Sequence, residues 1–254
     1  MEEKIQRKDA QKYFRAQKAE NGLETLVVRE FELEDKLEVQ QLFHDGLMEM
    51  VADTAFRGLR HHPESLLLYA AMTVLCYVIT TCWWVILLLP ASLLYGRYFY
   101  SRRMMLRFLE HAMSNDMGDI EGFYMKSSSR LWVAVLRGKV VGIVAAVGQQ
   151  QSGGAVELRR MSVARSYRRC GVGLALGQKL VEFAVTHKYP SVVLGTTSYT
   201  SAAHRLYRRL GFHLVGFTDG YVTPGVRWCS LEGVFYRVRH HHYKLDVQEE
   251  SLDH

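Results

Sequence analysis

Proline and cysteine are scarce in this 254-residue chain, at four each. The cysteines (Cys76, Cys82, Cys170 and Cys229) form no Cys-x-x-Cys pair and no Cys/His zinc spacing. That excludes a disulfide scaffold and a zinc finger, and it fits a reducing, cytosol-facing compartment. Low-complexity and disordered chains are excluded too, since hydrophobic residues make up 48% and charged residues 23% of the sequence. The length suits one or two domains with a sizeable core. The first residues (MEEKIQRKDAQK) are charged and lack an apolar h-region, so no signal peptide is expected there.

Charge is missing altogether from Ser65 to Gly96, 32 consecutive residues. A bilayer core takes about 20 apolar residues per helical span. This run is too long for one straight span and too short for two full ones. Trp83 and Trp84 fall near its middle and Pro90 interrupts it. Arg57, Arg60, His61 and His62 precede it, and Arg97, Arg102, Arg103 and Arg107 follow. Positive flanks on both sides keep both ends cytoplasmic. As helix, the run is about 48 Å long, or about 24 Å per arm. The expectation is a re-entrant helical hairpin in lipid, with a buried helix pair of a soluble domain as the alternative.

Elsewhere the chain is basic. The net charge is +6 and the pI about 9.1, which asks for an anionic partner. Ten Lys/Arg against two acids lie between Ala155 and Leu210, a net of +8, so the rest of the chain is slightly acidic. The expected organisation is a polar tail at 1–24, a domain at 25–246 interrupted by the hairpin at 65–96, and a short tail at 247–254. Within the domain, Thr25–Arg29 reads as a strand. Asp35–Met50 reads as a helix, with Leu37, Val39, Leu42, Phe43, Leu47 and Met50 at helical spacing. A basic helix is expected at Arg102–His111 and a short one at Asn115–Tyr124. Leu131–Leu136 and Lys139–Val147 read as strands joined through Arg137-Gly138, a hairpin signal. Ala155–Val163 and Ser191–Thr196 are further strands. Gly173–His187 is a helix with Leu176, Leu180, Phe183 and Ala184 on one face, and Thr200–Leu210 a helix ended by Gly211. Phe212–Phe217 and Val226–Arg239 supply the last strands.

The chemistry is concentrated where the strand AVELRRMSV runs into ARSYRRCGVG and then a helix. Arg168-Arg169-Cys170-Gly171-Val172-Gly173 has the form Arg-x-x-Gly-x-Gly. Its glycines let the backbone approach a ligand, and free amides at the helix N-terminus suit a pyrophosphate. An ordinary glycine turn is the alternative. A dinucleotide-binding fingerprint fails, because Gly177 falls four residues after Gly173 rather than three.

Together with Ala203-His204-Arg205-Leu206-Tyr207 and Leu210-Gly211-Phe212 downstream, this pattern resembles the GNAT superfamily of N-acetyltransferases. That family carries Arg/Gln-x-x-Gly-x-Gly/Ala followed by A-x-x-x-Y and G-F. Within it, the chain is similar to the membrane-bound aspartate N-acetyltransferases, through TAFRGLRHHP (54–63), DMGDIEGFYMK (116–126), LWVAVLRGKVVGIVAA (131–146), VVLGTTS (192–198) and AAHRLYRRLGF (202–212). Cysteine-conjugate N-acetyltransferases are siblings in that group. The resemblance covers roughly residues 25–245. It implies an α/β (α+β) GNAT fold with a mixed sheet flanked by helices. It also implies acetyl-CoA as cosubstrate, bound by Met161, Val163, Arg168, Arg169, Gly171, Val172, Gly173, Leu174 and Ala203. Two positions depart from the pattern. The relatives carry Arg-Gly-Lys-Gly where this chain has Arg168-Arg169-Cys170-Gly171, so Arg169 is strained if its position needs φ > 0. Many GNAT enzymes also have Asn where this chain has Thr200.

The resemblance places the first strand and helix in the same sheet assembly as the rest, so the hairpin returns to the side it left. The expected location is a membrane of the endoplasmic reticulum or mitochondrion, with the domain facing the cytoplasm. Acetyl transfer to an amine needs a base for the ammonium and a proton for the leaving thiolate. Glu157 is the candidate base, its alternative being a surface carboxylate paired with Arg159. Strand periodicity puts residues 157, 159, 161 and 163 on one face and Arg160 one position off it. Tyr207 matches the family's general-acid tyrosine, with core packing as the alternative. An aspartate acceptor brings two carboxylates, for which arginine forks suit. Arg57, Arg60 and Arg160 are the candidates, with Asp116 for the ammonium. Lipid-headgroup anchoring is the alternative for Arg57 and Arg60. No metal is expected, since His240–His242 on a strand point to alternating faces. Other classes stay open at this point: an inactive GNAT module, a membrane-shaping hairpin protein and a cysteine-conjugate or lysine acetyltransferase. A nucleic-acid binder ranks last, because the basic segment coincides with the phosphate loop.

Overall fold

A computed structural model describes residues 26–57, 59, 63–149, 154–219 and 238–247. The two expected tails therefore lie almost wholly outside the described residues. So do Arg60, the His61-His62 flank and nearly all of the strand expected at Val226–Arg239.

Seven strands form one mixed sheet in the order β1-β2-β3-β4-β5-β7-β6. They are β1 (Val27–Glu30), β2 (Ser129–Leu136), β3 (Lys139–Gly148), β4 (Val156–Val163), β5 (Ser191–Thr197), β6 (His213–Asp219) and β7 (Arg239–Asp246). The helices are α1 (Lys36–Phe56), α2 (Pro63–Thr80), α3 (Val85–Ser114), α4 (Ile120–Tyr124), α5 (Val172–Thr186) and α6 (Ser201–Arg209). The β2–β3 hairpin turns through Arg137 (φ 55°) and Gly138 (φ 71°), the paired positive φ of a primed turn. In α5, Leu176, Leu180, Phe183 and Ala184 are all buried, at the spacing that one helical face requires.

Each face of the sheet has its own core. On one face α5 packs on β2–β5, joining Trp132, Val144, Leu158, Leu180, Phe183 and Val192. On the other, α1, the end of α3 and α4 bury Val39, Phe43, Met117, Ile120, Val133 and Ile143. A third cluster ties α1 to α3 and to the segment after β5, through Leu47, Val51, Met104, Met105 and Tyr199.

Two expectations change. The uncharged run and the basic helix after it are not separate: α3 runs through Pro90 and Gly96 as one 30-residue helix. Proline loses one N–H and strains the turn before it, yet the rest of this apolar segment keeps helical hydrogen bonding. The second change is at the arginine flank. Arg97 is 1% exposed and points inward. At the end of the chain the last described strand is Arg239–Asp246. It pairs with both β5 and β6, so neighbours on either side decide it.

Helices α2 and α3 pack as a hairpin through Tyr69, Leu89 and Leu93. Its turn stacks Trp83 on Trp84, with centroids 3.9 Å apart. Leu67, Leu75, Ile79, Trp83, Trp84 and Leu88 are all more than half exposed. Among the described residues, no helix is long and apolar enough to cross a membrane.

Candidate active site

Strands β4 and β5 run parallel but pair only at Val156–Val192 and Glu157–Val193. Beyond Glu157 they part, while β4 stays bonded to β3 as far as Val163. The result is a gap at the carboxyl ends of two parallel strands, the place where open α/β sheets take ligands.

A bulge in β4 sorts the side chains around the gap. Arg159 faces Ala145 and Ser162 faces Ile143, so two residues of β4 stand opposite Val144 alone. Arg160 takes φ 52° to make this possible. The alternation resets there, which corrects the simple period-two expectation. Val156, Leu158, Met161 and Val163 face α5. Arg160 instead turns to the α1/α3 side, between the rings of Phe43 and Phe108 at 5.0 and 5.1 Å. Ser162 turns the same way and donates to the Leu42 carbonyl at 3.3 Å. Glu157 and Arg159 alternate with Val156 and Leu158, so they too lie on that side. Glu157 therefore does not share a face with Met161 and Val163; the sheet stands between them.

On the α5 side, Gly171 takes φ 87° and opens α5 with no side-chain cap. The first-turn amides are left for a ligand, and the helix dipole favours an anion. A Cβ added to Gly173 would stand 3.1 Å from Leu206 and 3.8 Å from Met161 and Val163. The absent side chain leaves a cradle between β4, α5 and α6. Val172 is buried, and Leu174 and Ala203 are half-buried along the same wall. Arg168 is drawn toward α1. Its Nε donates to the Val163 carbonyl at 3.0 Å, and its Nη2 stands 2.7 Å from Glu49 Oε2. A cavity of about 460 Å³ opens beside this pair, between α1 and Val163–Arg168.

Arg169 is exposed with φ 67°. A non-glycine residue in this region carries a steric cost of about 1 kcal/mol. Arg169→Gly is expected to raise Tm by about 2–4 °C and to raise KM for acetyl-CoA modestly through loss of charge. A thermal melt and initial rates check both, and a fall in Tm contradicts the strain.

On the opposite face, Glu157 Oε2 accepts from Gln149 Nε2 and Arg159 Nη2, both at 2.5 Å. Among the described residues no hydrogen bond reaches Oε1. Burial works against the Arg159 charge, but Glu157 outweighs it and raises the guanidinium pKa. Next to them, Asp116 accepts from Arg160 Nε and Nη2 at 2.8 Å each and from the Tyr124 hydroxyl. Burial and the Asp116 charge push the Tyr124 pKa well up, so the phenol stays protonated. Asp116 and Arg160, expected to meet a substrate separately, thus hold one another. Arg57 is exposed and pairs with Asp53 at 3.2 Å.

Tyr207 is buried between Phe212 and Tyr243, each ring 6.0 Å away. Burial, with Tyr243 adding to it, pushes its hydroxyl up to about 12. The Thr200 hydroxyl donates back to the Thr197 carbonyl at 3.1 Å, in the turn before α6. His240 and His242 flank Gly195, while His241 and Tyr243 face His204 on α6. Burial, with His242 and His241 nearby, lowers the His240 imidazole to about 4.

Tyr124 and Gln149 belong to this region and were not singled out from the sequence. Tyr124 and Gln149 lie eight residues from their carboxylate partners, with a turn or loop between, so no single helix or strand period links them.

Residues 95–212 match the Acetyltransferase (GNAT) family model. The chain is 47% identical over 224 residues to the N-acetylaspartate synthetase of Rattus norvegicus, covering 88% of this chain and 75% of that one. It is equally similar to the N-acetylaspartate synthetase of Homo sapiens, with 88% and 74% covered. Among solved structures, a GNAT-family acetyltransferase from Staphylococcus aureus Mu50 shares the fold. Its TM-score is 0.50 at 13% identity, covering 88% of this chain and all of that one.

Proposed function

The chain belongs to the GNAT acetyltransferase family, alongside the N-acetylaspartate synthetases, and we infer that it moves the acetyl group of acetyl-CoA to the amine of L-aspartate, giving N-acetyl-L-aspartate. One observation carries the mechanism. The gap between β4 and β5 joins a phosphate-binding helix start on one face of the sheet to a carboxylate cluster on the other.

Acetyl-CoA supplies an acyl group activated as a thioester. The first-turn amides of α5 and the charge of Arg169 suit its pyrophosphate. The Gly173 cradle, walled by Met161, Val163 and Leu206, suits the narrow arm that leads to the gap. The amine enters from the α1/α3 face. Glu157 stands at the last β4–β5 pair, where the gap begins, and takes the ammonium proton on Oε1. Tyr207, protonated throughout the neutral range, holds a proton for the departing sulfur. The C–N bond forms as the C–S bond breaks; nitrogen sheds two protons, the first through Glu157 to water and the second as the tetrahedral adduct collapses, which replaces the proton Tyr207 gives to sulfur, so one proton is released per turnover. Arg160, fixed by Asp116 and two aromatic rings, puts a cation beside Glu157 for an acceptor carboxylate.

The same proposal sets the α2–α3 hairpin in a bilayer as a re-entrant element. Exposed apolar side chains and a stacked tryptophan pair at the turn support this. It puts the catalytic domain on the cytoplasmic side of the endoplasmic reticulum or mitochondrion. Membranes containing the chain test both parts. N-acetylaspartate formed from acetyl-CoA and aspartate should sediment with the membrane fraction. Coenzyme A binding without turnover would favour an inactive module, and activity left in the supernatant would contradict the hairpin's role.

A further inference from the structure

Gly195 lies on β5, between β4 and β7 inside the sheet, and yet it is exposed. Val192 and Leu194 face the α5 core, so Val193, Gly195 and Thr197 face the other way, with Glu157. The same alternation sorts β7. His241 and Tyr243 face His204 on α6, which leaves His240 and His242 on the Glu157 face. Their rings close in on the space over Gly195. A Cβ built there would stand 3.6 Å from His240 Nδ1 and 3.9 Å from His242 Nδ1.

His242 is the ladder partner of Gly195, and its Nε2 meets the Thr218 hydroxyl at 2.8 Å. A threonine hydroxyl that donates to Nε2 leaves the ring proton on Nδ1. Among the described residues no hydrogen bond reaches His242 Nδ1. Two ring nitrogens thus bracket a seat that any side chain at 195 would fill and glycine leaves open. Imidazole N–H groups there match the oxygens of a carboxylate. Among the described residues no group of three His, Cys, Asp or Glu could hold a metal ion.

The seat lies within one amino acid of the candidate base. Val193 is the β5 partner of Glu157, and Gly195 is two residues further on. Strands about 4.8 Å apart, rising about 3.3 Å per residue, put Gly195 about 8 Å from Glu157 across the start of the gap. A hydrogen bond of about 2.8 Å from Oε1 to the amine, and about 4 Å from that amine to the far carboxylate of aspartate, span about 7 Å. Arg160, on β4 with Glu157, is left for the near carboxylate.

We propose that His242, with His240 beside it, seats the side-chain carboxylate of the acceptor over Gly195, an inference resting on the aspartate reading above. G195A and H242A are compared with the wild type by thermal melts and by initial rates with aspartate, with succinate as a competitor that lacks the amine. Gly195 does not have the positive φ that reserves a position for glycine, and the added methyl meets both rings at ordinary contact distance. G195A should therefore melt at or above the wild-type temperature. In both variants KM for aspartate and Ki for succinate should rise about tenfold or more, the worth of a hydrogen bond to a charged group. The kcat and the KM for acetyl-CoA should stay within about threefold, because only acceptor binding is lost. H242A changes an exposed side chain and carries the test if G195A melts low. An unchanged KM for aspartate, a fall in kcat without a rise in KM, or an equal rise in KM for acetyl-CoA overturns the proposal. A wild type that does not acetylate aspartate overturns the functional reading and the seat with it, whereas an active wild type with unaffected variants overturns the seat alone.

Discussion

Glu157→Gln is expected to lower kcat by about 10²- to 10⁴-fold, the range that removing a positioned general base produces. The substitution is chosen to spare the fold. A glutamine amide oxygen still accepts from Gln149 and Arg159, which meet at a single carboxylate oxygen. The lost Arg159–Glu157 ion pair is partly exposed on both sides, and such pairs contribute under about 1 kcal/mol. What glutamine cannot do is take a proton. KM for acetyl-CoA should therefore hold, because the cradle at Gly173 lies on the other face of the sheet. Initial rates and a thermal melt check this. A variant that keeps more than a third of wild-type kcat would make Glu157 a strand-surface carboxylate.

Asp116→Ala should cost stability as well as rate. Asp116 is 4% exposed and is the partner of a largely buried arginine. Burial works against the Arg160 charge, but Asp116 overcomes it and raises the guanidinium pKa. Removing one member of a buried pair leaves a charge without compensation and costs about 3–5 kcal/mol. Replacing both members by apolar residues of similar size is often close to neutral. Asp116→Leu with Arg160→Met should therefore recover most of the stability lost by Asp116→Ala. Turnover of aspartate should stay low in that double variant, because the acceptor face has lost the Arg160 guanidinium. Denaturant melts and rates on the three proteins separate the outcomes. Recovery of both stability and rate would make the pair purely structural.

How far the sequence reaches is visible at particular residues. Arg137-Gly138 marks a hairpin because its turn needs two positive φ values, and it has them. The burial of Leu176, Leu180 and Phe183 follows from helical spacing, and Gly171 with φ 87° follows from the need to start a helix at a phosphate loop. The strain at Arg169 was legible too, since a side chain stands where glycine is expected. The bulge at Arg160 was not. An inserted residue leaves no mark in an alternating pattern, and it alone moves Arg160 to the Glu157 side. Nor was the Asp116–Arg160 pair, whose members are 44 residues apart and meet only through packing of α3 and α4 on the sheet. Arg97 looked like a solvated flank because helix phase, not composition, turns it inward.

The central claim is that aspartate is the acceptor, and the ratio of kcat/KM values tests it most directly. Aspartate, S-benzylcysteine and a lysine peptide are compared under the same acetyl-CoA concentration, with membranes containing the chain. The account predicts aspartate preferred over both by at least about tenfold, with one coenzyme A released per N-acetylaspartate formed. Preference for the cysteine conjugate or the peptide would contradict it, and would assign the same donor machinery to a different amine.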